Sequence, residues 1–199
     1  YGHLGRFKPL KQRNPELIIG LGGCIAQQEG AELLENFPYL DLVFGTHNIH
    51  RLPQLVAEVE ANRVRCEETE FLDRETRLRL FPSRSDSDQV TRFVTVMQGC
   101  DNYCSYCVVP YVRGREISRP SGEVLAEVRA LAASGVREVT LIGQNVNSYG
   151  LRDAGELSFA GLLEQVNKVD GIERIRFTTS HPKDLSPQLI DCFGRLDKL

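Results

Sequence analysis

Three of the chain's six cysteines fall within eight residues, as Cys100-Asp101-Asn102-Tyr103-Cys104-Ser105-Tyr106-Cys107, a Cys-x-x-x-Cys-x-x-Cys spacing that directly follows Gly99. Thiolates are the ligands of zinc and of iron–sulfur clusters. Three of them are one short of closing a tetrahedral zinc site and one short of saturating a four-iron cubane. The spacing therefore leaves one coordination position open. For zinc, the fourth ligand would come from His181, Cys66 or another distant side chain. For a four-iron cluster, the open iron is free to bind a substrate or cofactor. The other cysteines, Cys24, Cys66 and Cys192, are scattered, which reads as a metal site rather than the disulfide framework of a small secreted domain.

The elements that must position this loop are legible as alternating strands and helices. Leu17-Ile18-Ile19-Gly20-Leu21 reads as a strand ending at Gly22-Gly23-Cys24, and Ala26 to Phe37 shows helical spacing through Ala26, Leu33, Leu34 and Phe37. A short strand, Asp41-Leu42-Val43-Phe44, closes at Gly45; Leu52, Leu55, Val56 and Val59 mark a second helix, with Pro53 tolerated in its first turn. This pattern suits a doubly wound α/β unit whose earlier strands are missing. From Arg92 the pattern resumes: a strand over Phe93 to Met97, the cysteine loop, and a helix with Val124, Leu125, Val128, Leu131 and Ala132 on one stripe, Ser121 as its N-cap and Gly135 past its end. A strand from Val139 to Ile142, a helix carrying Phe159, Leu162, Leu163, Val166 and Val169, a strand from Ile175 to Thr179 and a further helix follow. Parallel strands with helical crossovers are implied, and in such sheets sites form at the carboxyl ends of the strands. The cysteine loop, Gly143-Gln144-Asn145 and Ser180-His181-Pro182 all follow strand ends, so three segments are expected to converge on one rim.

Composition limits the partners. With 199 residues and 41% hydrophobic positions the chain can fill one large core or two small ones. Its 24 basic and 27 acidic residues give a net charge of −3, which excludes the strongly cationic face of a stand-alone nucleic-acid clamp. No apolar run is long enough for a bilayer span and Tyr1 to Lys8 lack a signal core, so a cytosolic protein without membrane attachment is expected. A first residue other than methionine and a last helix that looks unfinished suggest a piece of a longer polypeptide. Residues 64–90 are rich in both signs of charge and read as a linker. The stretch Ser83-Arg84-Ser85-Asp86-Ser87-Asp88 is expected to be exposed and mobile. His3, His47 and His50 show no ligand spacing and read as loop or capping residues; Cys66 and Cys192 read as structural.

The cysteine loop resembles the radical S-adenosylmethionine (SAM) signature, in which an aromatic residue precedes the third cysteine, the place Tyr106 fills. The likeness extends further. Met97-Gln98-Gly99-Cys100, Tyr106 through Glu116, Ser118-Arg119-Pro120, Gly143-Gln144-Asn145-Val146-Asn147-Ser148-Tyr149-Gly150 and Phe177-Thr178-Thr179-Ser180-His181-Pro182 are similar to the MiaB-type tRNA methylthiotransferases. Gly22-Gly23-Cys24-Ile25-Ala26-Gln27-Gln28-Glu29-Gly30 and Phe44-Gly45-Thr46-His47-Asn48-Ile49-His50-Arg51-Leu52-Pro53 resemble the amino-terminal domain of that family.

That resemblance implies an α/β chain in which residues 1–63 end an amino-terminal doubly wound α/β domain. Residues 64–90 then link it to the first half of a radical-SAM partial (β/α)6 barrel at 91–199. It implies that Cys100, Cys104 and Cys107 hold a [4Fe–4S] cluster whose open iron takes SAM, with Tyr106 near the adenine. Cys24 matches the last ligand of a second, auxiliary [4Fe–4S] cluster whose other two ligands would lie upstream. Gln144 and Asn145 become candidates for the amino or carboxylate group of SAM, and His181 for a SAM-side or substrate-side contact. Arg113, with Arg115 and Arg119 nearby, is a candidate for a carboxylate or phosphate, against ion pairing with Glu116 or Glu123.

The implied reaction starts with reductive cleavage of SAM, removes hydrogen from carbon 2 of an isopentenylated adenosine beside the tRNA anticodon, and attaches a methylthio group there. The implied partners are the tRNA anticodon stem-loop, an electron donor and a sulfur or cluster donor, in the cytoplasm. An RNA-binding domain and later barrel strands would lie beyond Leu199, so the isolated chain is expected to be inactive. Sibling enzymes act on threonylcarbamoyl-adenosine of tRNA or on a ribosomal-protein aspartate, but depart from this chain at Gly-Gln-Asn-Val-Asn and Ser-His-Pro. A non-enzymatic alternative is a zinc-stabilised RNA-binding module.

Overall fold

The computed structural model describes residues 2–83 and 88–199; the middle of the low-apolar stretch expected to be mobile, residues 84–87, lies outside the described residues. The chain divides into two compact bodies, residues 2–73 with Tyr106–Gly114, and Arg74–Ser105 with Arg115–Leu199.

The first body runs α1 (Gly2–Gly5), α2 (Lys8–Arg13), β1 (Gly20–Gly22), α3 (Cys24–Glu29), α4 (Ala31–Asn36), β2 (Leu42–Phe44), α5 (Leu52–Asn62) and β3 (Cys66–Glu68). Its strands form a parallel sheet in the order β1-β2-β3, with Leu21 opposite Val43 and Val43 opposite Glu67. Ile19, Ala26, Leu33, Leu40 and Val43 pack into the core that the helices and sheet share. Asp41 ties the sheet to α2: its carboxylate pairs with Lys11 Nζ at 2.8 Å and accepts the Ile19 N–H at 2.8 Å.

Three expectations are corrected here. The helix expected from Ala26 to Phe37 breaks in two at Gly30, whose φ of 51° and ψ of −128° end α3 and turn the chain into α4. The first strand is shorter than the apolar run, covering only Gly20–Gly22. Part of the charged segment expected as a linker is structured. Cys66–Glu68 adds β3 to the sheet, with Cys66 opposite Leu42, because an edge strand is held by its backbone ladder and tolerates charged side chains.

The second body opens with α6 (Arg74–Arg79), β4 (Thr91–Thr95) and β5 (Met97–Gln98); α7 (Val109–Arg113) then belongs to the first body. It continues with β6 (Ile117–Ser118), α8 (Ser121–Ala133), β7 (Glu138–Ile142), α9 (Phe159–Asn167), β8 (Arg174–Phe177) and α10 (Pro187–Arg195). The main sheet is parallel in the order β4-β7-β8, with Val94 opposite Leu141 and Leu141 opposite Phe177. The single strand expected over Phe93 to Met97 is two: β5 leaves the main sheet and pairs antiparallel with β6.

The helices of this body carry the stripes read from their spacing, and Val128, Leu131, Leu163 and Val166 pack with Val94, Leu141 and Ile175. Ser121 is not the N-cap of α8. Pro120 takes that position, and the Ser121 N–H donates to the Glu156 carboxylate at 3.0 Å instead. Ser158 and Ser186 cap α9 and α10, accepting from the N–H groups of Gly161 and Leu189. Arg119 and Glu127, each with a side chain only 3% exposed, form a buried ion pair, and Tyr149 donates its hydroxyl to the Arg119 carbonyl at 2.7 Å.

Candidate metal and cofactor site

The strand ends of the second body meet as the sequence reading expected. Gln144, just past β7, accepts the N–H of Gly99 through its Oε1 at 2.7 Å, fixing the residue that precedes Cys100. Asn145 is 1% exposed and uses its whole side chain: Nδ2 donates to Ser148 Oγ at 3.1 Å and to Asp184 at 2.7 Å, and Oδ1 accepts the His181 N–H at 2.9 Å. Asn147 Nδ2 donates to the His181 carbonyl at 3.1 Å, and the Val146 N–H donates to the Thr179 carbonyl at 2.9 Å. His181 Nδ1 accepts the N–H of Lys183 at 3.2 Å, closing the short turn at Pro182. The loops after β7 and β8 are thus sewn into one polar floor, and Gln144 joins the segment before the cysteine loop to it.

Asp101 anchors the start of that loop. Its side chain is 6% exposed, accepts the Arg115 guanidinium at 2.9 Å and the Glu116 N–H at 3.2 Å, and lies 3.4 Å from Arg152. Of the cysteines, Cys100 is buried and Cys104 is half-buried in the second body; Cys107 and Cys24 are half-buried in the first, where Cys24 opens α3. None of the six forms a disulfide. Tyr106 is 91% exposed, and Arg113 ends α7. Arg119 pairs with Glu123 and Glu127. Cys66 lies on β3, and Cys192 is buried in the second core.

The donor set suits an iron–sulfur cluster: three thiols in eight residues on irregular backbone, outside any disulfide, with Tyr103 at a positive φ of 47° between the first two. Among the described residues no three Cys, His, Asp or Glu side chains are gathered as a metal site.

Glu116 is the residue that spacing did not single out as a site group. Burial pushes its carboxyl pKa up; a hydrogen bond from Ser148 Oγ at 2.7 Å and the charge of Arg152 offset this in part, while Asp101 and Asp184 add to it. Its Oε1 is buried without a hydrogen-bond partner among the described residues. Burial also works against the charge of Asp184, but hydrogen bonds from Lys183, Asn145 and Asn102 outweigh it and hold that carboxyl below its usual range. A raised folded-state pKa makes the Glu116 contribution favourable below the unfolded value of about 4.3 and lost as pH rises through the folded one. In urea unfolding from pH 4 to pH 8, Glu116→Gln is expected to lack this loss and to be the more stable chain at the upper end. Equal pH dependence in both would show that the carboxyl is not buried in this way.

The family model described as the Radical SAM superfamily matches residues 94–196. The chain belongs to the radical SAM superfamily, and membership implies SAM and a [4Fe–4S] cluster as cofactors. It is 67% identical over all 199 residues to a protein of Syntrophotalea carbinolica named tRNA-2-methylthio-N(6)-dimethylallyladenosine synthase, covering 45% of that protein. Proteins of the same name from Geobacter sulfurreducens and Geobacter metallireducens are 62% and 63% identical over the whole chain, which covers 44% and 45% of them. The chain therefore spans less than half the length of these curated relatives. No helix among the described residues is long and apolar enough to cross a membrane.

Proposed function

We propose that this chain carries the cluster-binding part of a radical SAM methylthiotransferase that puts a methylthio group on carbon 2 of the isopentenylated adenosine next to the tRNA anticodon. The observation that carries this reading is the identity of 67% along the whole chain to a synthase of that product, joined to the open three-thiol loop at a strand end.

Cys100, Cys104 and Cys107 would hold the SAM-binding cluster and Cys24 would contribute to an auxiliary one, two clusters in all. When bound, the first cluster would supply the electron for reductive cleavage of SAM, the source of a carbon radical able to take hydrogen from an unactivated aromatic carbon. The chain's own residues bind and orient. Tyr106 offers an exposed ring for the adenine, and Arg113 and His181 are the SAM-side or substrate-side contacts. Asn145 acts on the cofactor through the backbone that it fixes, since its side-chain bonds are made within the protein, and Gln144, whose Oε1 accepts the Gly99 N–H, offers its amide nitrogen to the carboxylate group of SAM. The arrangement around them is the first half of a partial (β/α)6 barrel, preceded by the end of a doubly wound domain. The tRNA anticodon stem-loop, from which the base would be extruded, is the macromolecular partner. An electron donor and a sulfur donor complete the set, in the cytoplasm. With a net charge of −3 on this stretch, most of the grip on RNA belongs to other parts of the protein.

Mass spectrometry of tRNA nucleosides from a strain lacking the gene tests the reading. The 2-methylthio derivative of isopentenyladenosine should disappear while isopentenyladenosine itself accumulates. Loss of only the threonylcarbamoyl-type methylthio product would assign the chain to the sibling reaction.

A further inference from the structure

α7 is a five-residue helix whose carboxyl end is closed from outside. It stops at Gly114, with φ 72° and ψ −167°. The last carbonyls of a helix have no partner within it and take donors from outside. The Val112 carbonyl accepts the hydroxyl of Thr46 at 2.5 Å, and the Arg113 carbonyl lies 3.1 Å from Nε2 of His47. Both donors stand on the loop that leaves β2, directly after Gly45.

The His47 ring is fixed from its other side as well. It is 9% exposed, its Nδ1 accepts the Leu72 N–H at 3.1 Å, and the ring of Phe71 meets it edge-on with centroids 4.9 Å apart. With Nδ1 an acceptor, the ring proton lies on Nε2, so His47 is a donor to the Arg113 carbonyl. α7 also packs on α3. A helix this short does not hold itself in water. Its place is set by the two side-chain donors and by that packing, which is why Tyr106–Gly114 belongs to the amino-terminal body.

We propose that Thr46 and His47 are positioning residues that clamp the limb from Tyr106 to Arg113, and through it set the third cysteine of the loop, Cys107, and the aromatic ring of Tyr106. The link to the cofactor rests on the reading of Cys107 as a cluster ligand; the clamp itself does not.

Hydrogen exchange of the full chain without metal tests the clamp. Thr46→Val, which removes the hydroxyl and keeps the shape, should speed exchange of the amides at 106–113 by roughly fivefold, and His47→Phe by a similar factor. Amides of β1 and β2 should be unchanged, and Thr46→Ser should restore protection. Electron paramagnetic resonance of the anaerobically reconstituted, reduced chain tests the consequence. At equal iron content, Thr46→Val should alter the cluster signal and weaken its response to SAM, and Thr46→Ser should restore both. Unchanged exchange at 106–113 in both loosening variants would overturn the clamp, as would exchange that rises throughout the body. An unaltered cluster signal in Thr46→Val would overturn its effect on Cys107. If the unsubstituted chain takes up no iron, the functional reading falls and the exchange result alone decides on the clamp.

Discussion

Replacing Cys100, Cys104 or Cys107 by alanine is expected to leave the chain folded while iron bound after anaerobic reconstitution falls from about four atoms for this cluster towards none. The expectation combines ligand count with local structure. A four-iron cluster held by three thiolates has no spare protein ligand, so losing one leaves two. The loop carrying Cys104 is neither helix nor strand and that thiol is half-buried, so its truncation costs stability only about 0.5 kcal/mol. Cys192→Ala should behave oppositely. That side chain is fully buried in the second core, so its loss should cost about 1–2 kcal/mol and leave iron binding intact. Iron assay and urea unfolding on the same preparations separate the two behaviours. Retained iron in Cys104→Ala would remove this cysteine from the ligand set.

Gly150→Ala should be the most disruptive small substitution in the rim. Gly150 follows the loop after β7 with φ at 75°, and its N–H donates to Ser118 Oγ at 2.9 Å. A Cβ there would stand 1.8 Å from the Leu157 carbonyl oxygen, a backbone atom that cannot rotate away. Strain at a positive φ and forced backbone displacement each cost about 1–3 kcal/mol, so a loss of about 3 kcal/mol or more is expected for the second body. Gly155 is the control: its φ is 84°, yet a Cβ there meets nothing within 4 Å. Gly155→Ala should therefore cost only about 1 kcal/mol. Comparable urea midpoints for the two variants would contradict the steric argument.

The parts of the fold that could be read from sequence are those governed by local periodicity. The stripes of α8, α9 and α10 are regular enough to identify, and Gly135 past the end of α8 takes the φ of 100° that a helix stop of this kind uses. Local rules failed where the backbone alone decides: Gly30 divides an apolar stripe that runs on without a change of period, and β3 forms from Cys66-Glu67-Glu68, residues that do not look like a strand. The rim shows the same split. That the cysteine loop, Gln144 and His181 follow strand ends was legible, because the alternation of elements fixes which ends share a side. The bonds that lock it were not. Asn145 reaches Asp184 across 39 residues and Glu116 reaches Ser148 across 32, and no spacing rule links such pairs. His47 was legible only as a capping residue in general terms; that it caps α7, 66 positions on, is a property of the folded chain.

The most direct measurement is metal analysis of the full chain after anaerobic reconstitution, read together with its visible absorption and paramagnetic spectrum. A brown protein with iron and sulfide in equal amounts, whose reduced signal changes when SAM is added, is the expected result. A colourless protein with one tetrahedrally bound zinc per chain and no iron–sulfur absorption would contradict it.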